Sequence, residues 1–321
     1  MKSARALLVA VSAAVLLAAC SATPADVTGG SVAAPVPNGV QDPAKIPPAA
    51  TAATACGDPV ASLRPPAPLP APGHMPSGST MATILARGRL IVGVDQTTYL
   101  FGYRDSHGAI VGFDIDMARA MAKAIFGDPS KIQFVAITSA ERIPYLLEKK
   151  VDLVADTMTI NCDRWAQVDF STVYYNAGQS VLVPSTSKAT GIDSLGGQKV
   201  CAAIGSTSIT NIAARKSHPI PVAVNDWTDC LVMLQQNQVA AISTDDTILR
   251  GLAAQDPDVK LVGQPFTSEP YGLAMAPSSS DLVRFVNGVL EQMRSNGQWA
   301  AIYDRWLGGP APTPPGPKYK D

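Results

Sequence analysis

Histidine, net charge and long apolar runs are all scarce in this chain of 321 residues. The three histidines, His74, His107 and His218, lie far apart, and no CxxC pair accompanies them. That spacing offers no zinc site, which needs clustered Cys or His ligands. The formal net charge is −1, so there is no basic footprint for nucleic acid. HExxH, P-loop and nucleophile-elbow motifs are missing, which removes familiar signatures of metalloproteases, nucleotide enzymes and esterases. Beyond residue 19 no apolar run approaches the roughly 20 residues of a membrane helix. No cofactor is expected.

What is present begins at the N-terminus. Lys2 and Arg5 precede an uncharged stretch, Ala6 to Ala19, rich in Ala, Val and Leu. Its length suits a secretory signal and is too short to span a bilayer. The stretch ends Leu17-Ala18-Ala19-Cys20. Small residues before a cysteine suit a lipoprotein signal peptidase, and the thiol accepts the lipid. Residues 1–19 therefore read as a signal peptide and Cys20 as the lipidation site. The protein is expected on the extracytoplasmic face of the cell membrane, held by its lipid. Residues 20–79, rich in Pro, Ala, Gly, Ser and Thr, read as a tether, because such composition buries little apolar surface. The Pro-rich tail, 309–321, reads as disordered or extended.

Four cysteines remain: Cys56, Cys162, Cys201 and Cys230. An exported location favours disulfides, and four cysteines allow three pairings. The preferred one joins Cys201 to Cys230, tying a strand to a nearby helix. Cys56–Cys162 would then pin the N-terminal extension to the body.

Between about residues 80 and 308, strand and helix signals alternate. Leu90 to Val94 reads as a buried strand. Asp114 is expected to cap a helix in which Met117, Ala118, Met121, Ala122 and Ile125 recur at helical spacing, ending at Gly127. Lys199 to Ile204, Val222 to Val224 and Ala240 to Ser243 read as strands between helical stretches. This rhythm implies an α/β body of mostly parallel sheets covered by helices.

Three segments carry a resemblance. Gly112-Phe113-Asp114-Ile115-Asp116, Val168-Asp169-Phe170-Ser171 followed by Tyr174-Tyr175, and Asn296-Gly297 to Trp306 resemble ordered motifs of the polar-amino-acid-binding proteins of ABC importers, solute-binding protein family 3. The extended N-terminus and cysteine pattern further resemble glutamine/glutamate-binding lipoproteins of actinobacteria. The resemblance implies a two-lobed type II periplasmic-binding-protein fold with two crossing hinge strands. Lobe 1 would comprise 80–180 and 271–308, and lobe 2 residues 181–270. The hinge strands would lie near Ser180 to Pro184 and Glu269 to Leu273. A monomer is expected, with an importer permease or a membrane sensor protein as partner.

A zwitterionic ligand needs a cation for its carboxylate and an anion for its ammonium. Arg164, at the position of the family's arginine, offers a planar fork for the carboxylate. Thr157 and Thr159 lie on one side of an extended segment and would add contacts. Ser206 and Thr207 open a helix whose N–H groups favour an anion. Asp245 would accept the ammonium, with Asp246 as rival. Ser139 and Arg142 sit in a stretch that resembles the side-chain carboxylate site of glutamate/aspartate binders. Asp95 stands where glutamine binders carry an Asp, which favours an amide. Tyr99, Phe101 and Tyr103 are candidates for an apolar cleft wall. A dehydratase-like enzyme on the same fold is the remaining alternative, but no histidine falls among the matched positions.

Overall fold

The computed structural model describes residues 35–46 and 56–321. Leu90–Val94 is apolar throughout and buried along most of its length. Such a strand belongs inside a parallel sheet covered on both faces. It pairs in parallel with Ile132–Ala136 and Leu153–Val154. Ala274–Met275 and Asp169–Phe170 complete this five-stranded sheet on its far side. The second sheet runs Ile220–Val224, Lys199–Ala203, Ala241–Asp245, Gln179–Pro184, Val259–Val262. Each sheet has its own apolar core, so the body is two α/β lobes. Among the described residues no helix is long and apolar enough to cross a membrane.

Tyr175–Ala177 and Glu269–Tyr271 pair antiparallel and carry the chain between the lobes. The first crossing therefore precedes the expected Ser180 to Pro184. That apolar segment has already joined the second sheet, bonded on both sides. The expected lobe boundary, between 180 and 181, falls inside this strand, so only its first two residues, Gln179 and Ser180, pass from lobe 1 to lobe 2.

The three motifs meet in space. Asp114 does not cap its helix. The helix is Phe113–Phe126, Gly112 precedes it, and Asp114 is buried in its first turn. Its carboxyl accepts the Tyr174 hydroxyl at 2.7 Å and the Thr157 N–H at 2.8 Å. The carbonyl of Tyr174 accepts Trp299 Nε1 at 2.8 Å. Asp116, two residues on and on the opposite side of the helix, accepts Arg305 Nη1 and Trp306 Nε1. The recurring residues thus brace one helix, the first cleft loop and the C-terminal helix Gln298–Leu307.

The described parts of the expected tether are docked. Gln41 and Ala223 exchange backbone hydrogen bonds of 2.8 and 2.9 Å at the edge of the lobe 2 sheet. Val40 and Ala44 pack on that lobe's core. Leu63, Leu69 and Met75 pack on the lobe 1 core. The tail is extended, as its prolines require, but Ser62 pairs with Tyr319 in a parallel bridge. Composition misled here because a segment unable to build a core of its own can still cover an existing one. Cys56 is bonded to Cys162, and Cys201 to Cys230. Cys20 and residues 1–19 lie outside the described residues.

Candidate functional site

Ligands of open α/β sheets bind beyond the carboxyl ends of the strands. Here Asp156 to Thr159 follow Leu153–Val154, and Gly205 to Thr207 follow Lys199–Ala203. Trp227 follows Ile220–Val224, and Asp245 closes Ala241–Asp245. These ends face one another. Arg142, Thr157, Thr159 and Arg164 of lobe 1, with Ser206, Thr207 and Asp245 of lobe 2, line one tight cavity of about 10 Å³. Ser208, Trp227, Thr244 and Ile248 complete it.

Arg164 sits on a one-turn helix, Cys162–Trp165, whose start is capped by Asn161. Its Nη1 donates to the Thr159 carbonyl at 2.6 Å and its Nη2 to the Gly205 carbonyl at 3.2 Å. Burial lowers its pKa to about 9, Arg142 adds to the fall, and Glu269 and Asp245 oppose it. The guanidinium thus stays charged at neutral pH but is short of an anion. Thr157 has φ +39°. A β-branched residue there is strained. Asp114 holds the strained backbone in place by accepting its N–H.

Asp245 presents the opposite deficit. Its Oδ2 accepts the Tyr271 hydroxyl at 2.6 Å, while Oδ1 is buried with no hydrogen-bond partner. Burial, then Glu269, push its pKa to about 8, against the pull of Tyr271 and Arg164. Tyr271 belongs to the second hinge strand and stacks on Tyr175 of the first, ring centroids 5.7 Å apart. The acid is therefore tied to the hinge itself.

Other candidates are placed elsewhere. Asp246 accepts the Gly178 N–H and pairs with Arg250, and does not line the cavity. Asp95 is spent on its own turn, accepting the Thr97 N–H and the hydroxyls of Thr97 and Thr98. An aspartate bonding two residues ahead is ordinary turn chemistry, and it leaves Asp95 outside the cavity lining. Phe101 is fully buried in the lobe 1 core. Tyr99 and Tyr103 pack edge to face with each other at 4.8 Å; none of the three lines the cavity. Arg142 donates to the carbonyls of Ser139, Asp156 and Gly205. Ser139 lines the adjoining part of the cleft with Arg142 and Gly205. Asp156, 3.9 Å from Arg142 Nε, is buried with neither oxygen hydrogen-bonded, and burial raises its pKa. Trp227 was missed, although the rule that strand ends face the cleft would have found it.

The lobes touch through glycines. A Cβ on Gly205, at φ +79°, would meet Ala140 Cα at 2.7 Å. One on Gly251, within the helix Asp246–Ala253, would meet the Tyr99 carbonyl oxygen at 2.7 Å. Gly251→Ala should therefore split two quantities. It should stabilise the ligand-free chain by about 0.5–1 kcal/mol, the helix gain over glycine. It should weaken ligand binding by about 1–3 kcal/mol, because the methyl overpacks the closed contact. Melting temperature and calorimetric affinity moving in the same direction would refute this.

Two lobes on a paired hinge, closing on a cavity of opposed charges, define a receptor for small polar solutes. The chain belongs to the bacterial extracellular solute-binding proteins, family 3, whose model matches residues 90–309. The glutamine-binding protein GlnH of the Bacillus subtilis ABC transporter is 40% identical over 230 residues, covering 71% of this chain and 84% of that protein. The glutamate/aspartate import solute-binding protein of Escherichia coli is 25% identical over 247 residues, covering 74% and 82%. An ancestral arginine-binding protein bound to glutamine superposes with TM-score 0.64 at 35% identity, covering 70% of this chain and 99% of that one. An arginine-binding protein mutant from T. maritima gives TM-score 0.67 at 29% identity, covering 71% and 99%.

Proposed function

We propose that the chain captures a polar amino acid of the glutamine, glutamate, asparagine and aspartate group and passes it to an ABC importer. One observation carries this. The cavity holds a buried cation short of an anion, Arg164, opposite a buried acid with an orphaned oxygen, Asp245. A zwitterion supplies both missing partners, and buried charges demand such pairing. Arg164 would take the carboxylate, helped by the N–H groups at Ser206 and Thr207. Asp245 would take the ammonium, with Thr157 and Thr159 completing it. Trp227 and Ile248 would cover the aliphatic stem. Two of the five N–H groups of Arg142 are not used by carbonyls and would meet the polar end. The names of the Bacillus and Escherichia relatives support the ligand group and the importer. This role needs binding and release, with no chemical change to the ligand.

The test is a thermal-shift screen of the twenty amino acids. A ligand that binds only the folded state raises its melting temperature. The four named amino acids should do so; a flat screen would reject the proposal. Membrane attachment through lipidated Cys20 belongs to the same reading, and a Cys20→Ser chain should leave the membrane fraction.

Binding should depend on pH through Asp245. Its value in the empty closed cleft, about 8, lies above its ordinary 3.8. The stability linked to its protonated form is full below 3.8 and is lost as pH rises through about 8. The groups facing it are Glu269, Asp246, Arg164 and Tyr271. An ammonium ligand needs the ionised form, so binding at pH 7 should release a proton. Affinity should fall about tenfold per pH unit below about 8, until the lower value of the bound acid is reached. Calorimetry in buffers of different ionisation enthalpy reads this directly, and a buffer-independent enthalpy would contradict it.

A further inference from the structure

The helix that carries Arg164 has only four residues, Cys162–Trp165. A single turn has little stability of its own and depends on what it packs against. Its packing comes from two stretches distant in sequence, 56–62 and 318–320. At its first residue, Cys162 is bonded to Cys56, with Cα atoms 5.5 Å apart. At its last, Trp165 Nε1 donates to the Pro59 carbonyl at 2.7 Å. Lys320 Nζ lies 3.4 Å from the centre of the Trp165 ring, within cation–π range. The opposite support is Phe170, edge-on to that ring at 5.6 Å. Ser62 then locks the arrangement. Its hydroxyl donates to the Phe170 carbonyl at 2.6 Å, and its backbone pairs with Lys318 and Lys320.

We propose that residues 56–64 and 318–321 position the ligand-binding guanidinium, by fixing Cys162 on one side of Arg164 and Trp165 on the other. This rests on the reading of Arg164 as the carboxylate clamp. A binding group needs its supporting contacts to hold it within about half an ångström of its working place. Without them the turn must be ordered when ligand arrives, and that cost appears as lost affinity. The Pro-rich extensions then contribute to solute capture as well as to stability. A chain lacking them would fold its two lobes yet bind more weakly.

Three variants of the full chain test this: Cys56→Ser with Cys162→Ser, Trp165→Phe, and a chain ending at Pro317. The phenylalanine keeps an aromatic ring beside Lys320 and Phe170 but loses the bond to Pro59 and part of the ring area. Each should lower calorimetric affinity for glutamine or glutamate, by about tenfold for the cysteine pair. The readout that separates positioning from stability is the Arg164→Ala background. There the same three changes should cost less than twofold, because the group they position has gone. Met121→Ala, a lobe 1 core change remote from this helix, should lower the melting temperature and leave affinity unchanged. Equal losses in both backgrounds, or affinity unchanged in all three variants, would overturn the proposal. If the unaltered chain binds no amino acid, the functional reading fails instead, and the two failures are distinct.

Discussion

Replacing Arg164 with alanine should weaken amino-acid binding by about 3–5 kcal/mol, the cost of leaving a buried charge without its partner. At one order of magnitude per 1.4 kcal/mol, that is a loss of between two and four orders in affinity. The size follows from the cavity. The ligand carboxylate would enter a space from which water is largely excluded, and no other guanidinium there is equally available. Arg142 already donates to three backbone carbonyls. Arg164→Lys should recover part of the loss, since the charge returns without the planar fork. The fold should survive, because the partners of Arg164 are two backbone carbonyls at the cleft surface. Isothermal calorimetry beside a melting curve checks both halves. Unchanged affinity would remove Arg164 from the site.

The second large effect concerns stability. Cys201 and Cys230 are fully buried in lobe 2 and lie 29 residues apart in sequence. Cys201 is on the strand Lys199–Ala203, and Cys230 is on the helix Trp227–Gln235 that covers it. Closing a loop of that length removes chain entropy from the unfolded state worth about 3–4 kcal/mol. Cys201→Ala with Cys230→Ala should lower the melting temperature by roughly 6–16 °C, at about 2–4 °C per kcal/mol. Ligand should still raise the melting temperature of this variant, because neither cysteine lines the cavity. A melting temperature within one degree of the parent would show that the bridge contributes little.

These two effects differ in how far they could be read from the chain. Arg164 was legible because it stands in an ordered run with Thr157 and Thr159, and local order survives in sequence. The helix Phe113–Phe126 was legible for the same reason: its apolar residues recur at 3.6-residue spacing and Gly127 ends it. The place of the first hinge crossing was not. Val181, Leu182 and Val183 mark the apolar centre of the strand Gln179–Pro184, yet which sheet it joins depends on Ile242 and Leu261, its partners at Leu182. Both lie far along the chain. Asp95 and Asp245 pose the same problem more sharply. Each is an acid at the end of a strand, with equal sequence signal. One is exhausted by Thr97 and Thr98, and the other keeps an oxygen for the cavity.

The extensions show a different limit. Their composition states correctly that they cannot build a core. It is silent on whether a core elsewhere has room for Leu63, Leu69 and Met75. Folding decides that, since a few apolar residues and one disulfide can dock a segment on a surface that already exists.

By itself, then, the sequence determined the alternating α/β pattern, the family motifs and the four body cysteines. Those are properties of composition and of short spacing. Only the tertiary structure decided where the hinge crosses, which acid faces the cavity, and that Cys56, Pro59 and Lys320 meet the turn bearing Arg164. Each of these depends on which distant groups share a desolvated space. In that space a charge is costly until it is paired, and local sequence does not encode the identity of the pair.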